Sequence, residues 1–216
     1  MSDDDIEYVE EYARDLVRAG FHNRDPMVAA VASYIEGEDY EDQVSPSELI
    51  DNAIATHEQA QKTWDEPTDF AKLDQAFAAL YAEGILPRHD YLFSAQDAMQ
   101  GMIEELDDES DAGRPAKGYV LYHRQDTMSA LDGDGLLLFF GSSALDPTEE
   151  DDLAIGETVA AKLQEAGLTV IWDHHVGARI EVEFDWKRYW QTPSKFVQQR
   201  MFDFQEGDEL EPKLFG

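Results

Sequence analysis

A chain of 216 residues with 48 Asp and Glu against 16 Lys and Arg carries a formal net charge of -32. A surface that negative repels nucleic acid and anionic membrane and attracts basic partners or cations. Cysteine is absent, which excludes disulfides, thiol catalysis and thiolate metal sites and fits a reducing, cytoplasmic setting.

Hydrophobic residues at 43% and aromatics at 11% are near the globular norm, so the chain is expected to fold. Its opening residues lack the basic and apolar regions of a signal peptide. The apolar run Leu136 to Phe140 is too short to span a bilayer. Charge is uneven: residues 1–112 hold 29 acids and 6 bases, residues 113–216 hold 19 and 10. General salt adaptation would spread the acids more evenly.

Residues 4–21 read as a helix with Ile6, Val9, Ala13, Leu16 and Val17 on one face and Gly20 at its end. Asp25-Pro26 opens a second helix through Met27, Val31 and Ile35. After a charged loop at 36–43, Ser45-Pro46-Ser47-Glu48 has the spacing of a capping box and starts a third, through Ile50, Ala53 and Trp64. Pro67-Thr68 breaks the pattern, and a fourth helix runs through Phe70, Leu73, Phe77 and Leu80 to Gly84. Four amphipathic helices in succession predict an acidic helical region over 1–86.

The pattern changes near Pro87. Ser94 can cap a helix through Met102, followed by a polar acidic link at 104–115. Tyr119 to Tyr122 is apolar throughout and reads as a strand buried on both faces. A short helix through Met128 and Leu131 stops at the turn Asp132-Gly133-Asp134-Gly135, and Leu136 to Phe140 is a second such strand. Asp146-Pro147 starts a longer helix through Ile155, Val159 and Leu163, ended by Gly167. Leu168 to Trp172 is a third strand. Ile180 to Phe184 is a fourth, with Glu181 and Glu183 on a wet face. The gap at 124–135 is close to the shortest that a parallel crossover allows, and DHHVGAR suits an antiparallel hairpin. The expected fold is α+β: an N-terminal helical layer followed by a small three- to four-stranded mixed sheet with flanking helices. Residues 87–216 would form an α/β domain, or continue the first. Its aromatic tail (Trp186, Tyr189, Trp190, Phe196, Phe202, Phe204) should pack on the body.

The densest polar cluster is Tyr122-His123-Arg124-Gln125-Asp126, at the C-terminal end of a buried strand, where open sheets bind ligands. There His123 could act as a general base and Arg124 could hold an anion at a helix N-terminus. The simpler reading has Asp126 capping the helix and His123 bonded to a loop carbonyl. Asp173-His174-His175 follows the third strand with metal-ligand residue types. Adjacent residues of an extended chain point apart, so a site needs the strands to bring them to His123; otherwise they form a polar hairpin loop. Asp132 to Gly135 lacks the Gly-Lys ending of a phosphate loop and the closing Glu of a calcium loop. Ser142-Ser143 lacks a nucleophile elbow. No cofactor and no metal are expected. The acid runs 3–5, 36–42 and 104–111 read as solvated faces that together could mimic nucleic acid. Lys187, Arg188, Lys195 and Arg200 form a basic island that could pair with the acidic front, internally or in a dimer.

The segments GYVLYHRQDTMSAL, LLLFFG, IGETVAAKLQEAGLTVIWD, RIEV and DWKR together resemble an uncharacterised bacterial family, a domain of unknown function. The resemblance is strongest over 117–188, and YARDLVRAGFHNRDPMVAAVASYIE is similar to the family's first helices. Its specific part is Gly118-Tyr119, Tyr122-His123, Gln125-Asp126 and Gly141. Relatives carry a cysteine-rich stretch before this strand; here residues 92–102 have no Cys, so no thiol role carries over. The family implies no reaction.

Three readings follow from these residues. The first is a non-enzymatic cytosolic interaction protein of inhibitor or immunity type that binds a basic protein, with no direct nucleic-acid or membrane binding. The second is an enzyme or small-ligand binder using His123, Arg124, Asp126, His174 and His175. The third is salt adaptation that implies no partner.

Overall fold

The computed structural model describes residues 3–38, 41–111 and 113–197. Three helices at the front, α1 (Asp3–Ala19), α2 (Arg24–Ile35) and α3 (Pro46–Gln61), form a core of their own. The expected faces supply it: Val9, Ala13, Leu16 and Val17 meet Met27, Val31, Ile35 and Ile50. Ser45 caps α3 as expected, accepting from the Glu48 amide at 3.4 Å. The fourth helix, α4 (Asp69–Ala82), leaves this group. Its Phe70, Leu73, Phe77 and Leu80 join the core of the sheet instead.

The sheet has five strands, not three or four: β1 (Ile85–Arg88), β2 (Gly118–Leu121), β3 (Leu136–Ser142), β4 (Thr169–Ile171) and β5 (Ile180–Glu183), in the order β1-β2-β3-β5-β4. The strand absent from the sequence reading is β1, Ile-Leu-Pro-Arg. A proline normally argues against a strand, but β1 is at the sheet edge, where a missing amide is tolerated. The division expected between residues 86 and 87 falls inside this strand.

Pairing also differs from expectation. β1 and β2 are parallel, joined through α5 (Ala95–Asp111). β2 and β3 are antiparallel, although 124–135 looked like a crossover. The reason lies in α6 (Arg124–Asp132). It has too narrow an apolar face to lie along the sheet, burying only Thr127, Ala130 and Leu131 besides Asp126. It therefore closes the end of the sheet, and Gly133, at φ 94, turns the chain back into β3. β4 and β5 form the expected antiparallel hairpin, and β5 alternates buried and wetter residues as its sequence implied.

Two layers cover the sheet. On one face α4 and α7 (Glu149–Glu165) pack Phe77, Leu80, Ile155, Val159 and Leu163 against Val120, Leu136, Leu138, Ile180 and Val182. On the other, α5 lays Ala98 and Met102 over Leu86, Tyr119 and Leu121. The acid run 104–111, expected as a link, is the second half of α5, held to β1 by the Arg88–Glu105 ion pair. The tail packs on the body: Trp186 and Phe196 join the sheet core, and Trp190 lies against the three-helix core. Phe202, Phe204 and Arg200 lie outside the described residues. No helix among the described residues is long and apolar enough to cross a membrane.

Gly118 makes the β2–β3–α7 contact possible. A Cβ there would lie 2.5 Å from the Gly141 carbonyl oxygen and 2.8 Å from the Ile155 side chain. Backbone cannot yield as a side-chain tip can. Gly118→Ala is therefore expected to destabilise by about 2 kcal/mol, lowering Tm by about 4–8 °C. A melting curve unchanged from the parent would contradict this packing.

Candidate functional site

The parallel pair β1–β2 ends at Arg88 opposite Leu121, so the residues that follow, His89-Asp90 and Tyr122-His123, emerge together. Several polar groups are buried at or near this end: His89 and Asp90 at 1% exposure, His123, Asp126, Thr127 and Arg188 at 5% or less. Buried polar groups must be paired inside or pay for lost hydration. Three linked networks supply the pairing.

The first belongs to α6. His123 is itself the N-cap: its Nδ1 accepts from the Asp126 amide at 3.2 Å, and Asp126 Oδ2 accepts from the His123 amide at 3.1 Å. Asp126 is thus the reciprocal member of the cap. Accepting an amide requires Nδ1 to be unprotonated, and burial pushes the His123 pKa down, against the opposing pull of Asp126. The second Asp126 oxygen takes Arg179 Nη1 at 2.7 Å, and that guanidinium lies over the Phe139 ring at 4.7 Å.

The second network surrounds Asp90. Thr127 donates its hydroxyl to Oδ1 at 2.6 Å. Arg124 Nη2 stands 2.8 Å from Oδ2, an ion pair without hydrogen-bond alignment. The same nitrogen donates to His22 Nε2 at 2.5 Å. Burial, with the Arg124 charge beside it, pushes the His22 pKa down to about 4. Asp90 and Leu92 both hold left-handed backbone, φ 49 and 58, an unfavourable state for these residue types. Hydrogen bonds from the Tyr91 amide to the Tyr122 carbonyl (2.8 Å) and from the Arg124 amide to the Leu92 carbonyl (3.0 Å) hold the loop there.

The third network is centred on His89. Its Nδ1 meets the Tyr122 hydroxyl at 3.0 Å, and its Nε2 meets Asp74 Oδ1 at 3.1 Å. Ser194 donates to the same Asp74 oxygen at 2.6 Å. The ring stacks on Phe77 with centroids 4.5 Å apart. Burial pushes the His89 pKa down, with Asp74 opposing. Nearby, Arg188 is 3% exposed and lies between Phe21 (4.6 Å) and Phe70 (5.0 Å), donating from Nη2 to the Thr192 carbonyl at 2.6 Å.

His123, Arg124 and Asp126 are therefore brought together, with Asp90 and Thr127, but as an interlocked frame. His123 Nδ1 is occupied as a cap, and both carboxylates are neutralised by arginines. His174 and His175 are elsewhere. β3 reverses β2, β5 reverses β3, and β4 reverses β5, so β4 ends at the opposite end of the sheet from β2. His174 is exposed there, its Nδ1 3.2 Å from Glu157 Oε1, and His175 Nδ1 accepts the Gly177 amide at 2.9 Å. The common site that required the strands to join these histidines does not form. Among the described residues, no group of three or more His, Asp or Glu is placed to hold a metal.

Sequence reasoning overlooked His22, Asp74, His89, Asp90, Thr127 and Arg179. A signal existed for two of them: Arg88-His89-Asp90 closes the apolar Ile85-Leu86-Pro87 as His123 closes Tyr119 to Tyr122. The described members of the basic island are engaged separately. Lys187 pairs with Asp185, Arg188 is buried, and Lys195 lies over Tyr81 and Phe196.

The buried histidines set a pH dependence. His22, His57 and His89 all have folded pKa values below the unfolded value. Their neutral forms stabilise the fold fully above about pH 6.5, and that stability drains away as pH falls toward the folded pKa. For His22 the window runs from about 6.5 to about 4. His22→Gln keeps an acceptor for Arg124 but cannot titrate. Urea unfolding between about pH 7.5 and 4 should show a loss of stability smaller than the parent's by on the order of 2–3 kcal/mol. Parallel curves for parent and variant would refute the assignment.

Comparison with known proteins gives one match. No curated protein and no solved structure matches the chain. A family model does, over residues 2–190, and its description is a domain of unknown function, DUF6891. Among the described residues that span takes in α1 to α7, β1 to β5 and the β1–β2 polar end except Ser194 and the Thr192 and Phe196 carbonyls. The chain belongs to this uncharacterised family.

Proposed function

We propose that this protein is a non-enzymatic interaction module of inhibitor or immunity type that binds a basic protein through its acidic surface. One observation carries the reading: the chain has spent its cations on itself. Among the described residues, every Lys and Arg except Lys62, Lys117, Arg188 and Lys195 is in an ion pair with a carboxylate. Of those four, Arg188 is buried, and Lys195 lies over two aromatic rings. Among the described residues that leaves Lys62 and Lys117 as the cations outside an ion pair, a ring contact or the core, against a large excess of carboxylates. Many stand on the outer faces of helices: Glu7 and Glu11 on α1, Glu104, Asp107 and Asp108 on α5, Glu149 and Glu150 on α7. A field of that sign draws in basic proteins and speeds their encounter. What weighs against a small-ligand site at the β1–β2 end is that its two buried carboxylates, Asp90 and Asp126, are already ion-paired with Arg124 and Arg179.

A basic partner should be retained from lysate at low ionic strength, and the purified pair should lose at least ~10-fold in affinity between about 50 and 300 mM salt. Two doubly neutralised variants, E104Q/D107N and E149Q/E150Q, remove equal charge from different faces. A docking surface predicts losses differing by roughly fivefold or more between them. Equal small losses, or no basic protein retained, would leave salt adaptation as the better account.

A further inference from the structure

At the edge strand β4 the sheet and α7 leave an open notch of about 220 Å³. Its α7 wall is one helical stripe, residues 157, 160, 161 and 164, spaced so that they share a face. Ala160 and Ala161 are short, so the stripe leaves room between Glu157 and Gln164. The opposite wall is Trp172, with His174 at the rim. Among the described residues no strand lies beyond β4 to cover it.

The indole is fixed in place. Its Nε1 donates to the carbonyls of His175 (3.3 Å) and Ala178 (3.2 Å). Phe140 packs against it edge-on at 5.3 Å, and its outer rim rests on Gly156, where a Cβ would come within 2.7 Å. Glu157 is 57% exposed and is met only by His174 Nδ1 at 3.2 Å; no Lys or Arg among the described residues pairs with it. His174 holds φ 59, with its ring 4.8 Å from Trp172.

A rigid aromatic ring beside a carboxylate without a cationic partner and an amide is the chemistry that recognises a flat or compact cation. The volume decides what size of cation. Pockets for whole metabolites run from about 300 Å³ upward, and this notch is smaller and open on its outer side. It suits a side-chain head group. We infer that the α7–β4 notch seats one arginine or lysine side chain of the basic partner, with Trp172 against its face and Glu157 and Gln164 on its N–H groups. This rests on the reading of the chain as a binder of basic proteins and gives that reading an address. Acids beside an edge strand also discourage sheet-to-sheet association, but that role needs neither the locked indole nor the gap between Glu157 and Gln164.

The test is a titration of the full-length, nitrogen-15-labelled protein with N-acetyl-arginine methylamide, with N-acetyl-norleucine methylamide as the neutral control. The Trp172 indole and Gln164 amide signals should move saturably with the arginine probe alone. Glu157→Gln, an exposed change that leaves the core intact, should weaken the effect roughly five- to tenfold. Glu165→Gln, on the same helix but outside the notch, should change it less than about twofold. Shifts spread evenly over the acidic surface, or an affinity indifferent to Glu157, would overturn the assignment. The two proposals fail separately. A basic protein whose affinity ignores Glu157→Gln removes the notch and keeps the interaction reading. An arginine probe that binds the notch in a protein retaining no basic partner does the reverse.

Discussion

The guanidinium of Arg188 is the pin on which the two halves of this molecule turn. Burying a cation costs several kcal/mol unless the surroundings compensate. Here they do so in three ways. Phe21 and Phe70 present ring faces at 4.6 and 5.0 Å, each worth up to about 2 kcal/mol when water is excluded. The Thr192 carbonyl accepts from Nη2. Nη1 lies against Gly20, just past the last turn of α1, where the helix dipole is negative; a Cβ at that glycine would sit 2.8 Å from it. Even so, burial pulls the Arg188 pKa down to about 10. The same residue offers its carbonyl to His57 of α3 at 3.0 Å, and Trp186 donates to the Arg18 carbonyl of α1. One short stretch of backbone therefore binds α1, α3 and α4 to the sheet core.

That arrangement explains why the polar end of β1 and β2 is closed. Phe196 enters the core beside His89, and its carbonyl accepts the His89 amide, while Ser194 occupies Asp74. Both residues lie beyond the region covered by the family model. The matched span holds His123, Asp126, Arg124 and Asp90 and stops short of the segment that covers His89. The interior charges are thereby converted into scaffold, and the exposed carboxylates are left as the chemically available groups.

Much of the fold was legible, because periodicity reports burial directly. The stripes through Val9 to Val17 and Phe70 to Leu80 are buried as read, and so is the continuous strand at Val120, whereas β3 alternates buried Leu136 and Leu138 with half-buried Leu137 and Phe139. β1 was not legible, since four residues with a proline carry almost no strand signal. Nor was the antiparallel return into β3, because gap length alone does not reveal that α6 lacks a face. The end of α5 was masked by its acids: a run of Glu and Asp reads as loop, yet Leu106 packs inward and Arg88 neutralises Glu105. At the site, His123 and Asp126 stood out because they are sequence neighbours. Asp90, Asp74 and His22 join them only through long-range contacts, which no local pattern encodes. His123 as a helix cap was also hidden, since caps are usually sought among Ser, Thr, Asp and Asn.

The pinning segment also governs how the chain comes into being. Residues 186–197 are made after every helix and strand of the body. Until they leave the ribosome, Phe21, Phe70 and Phe77 have no Arg188 or Phe196 to close over them, and the nascent body carries an unfilled aromatic seam. Such seams are where unfinished chains stick to one another. Here the seam lies in the acid-rich first half itself, so neighbouring chains on a polysome meet as like charges. The exposed carboxylates of the finished surface thus act before folding is complete, as a repulsion between unfinished copies.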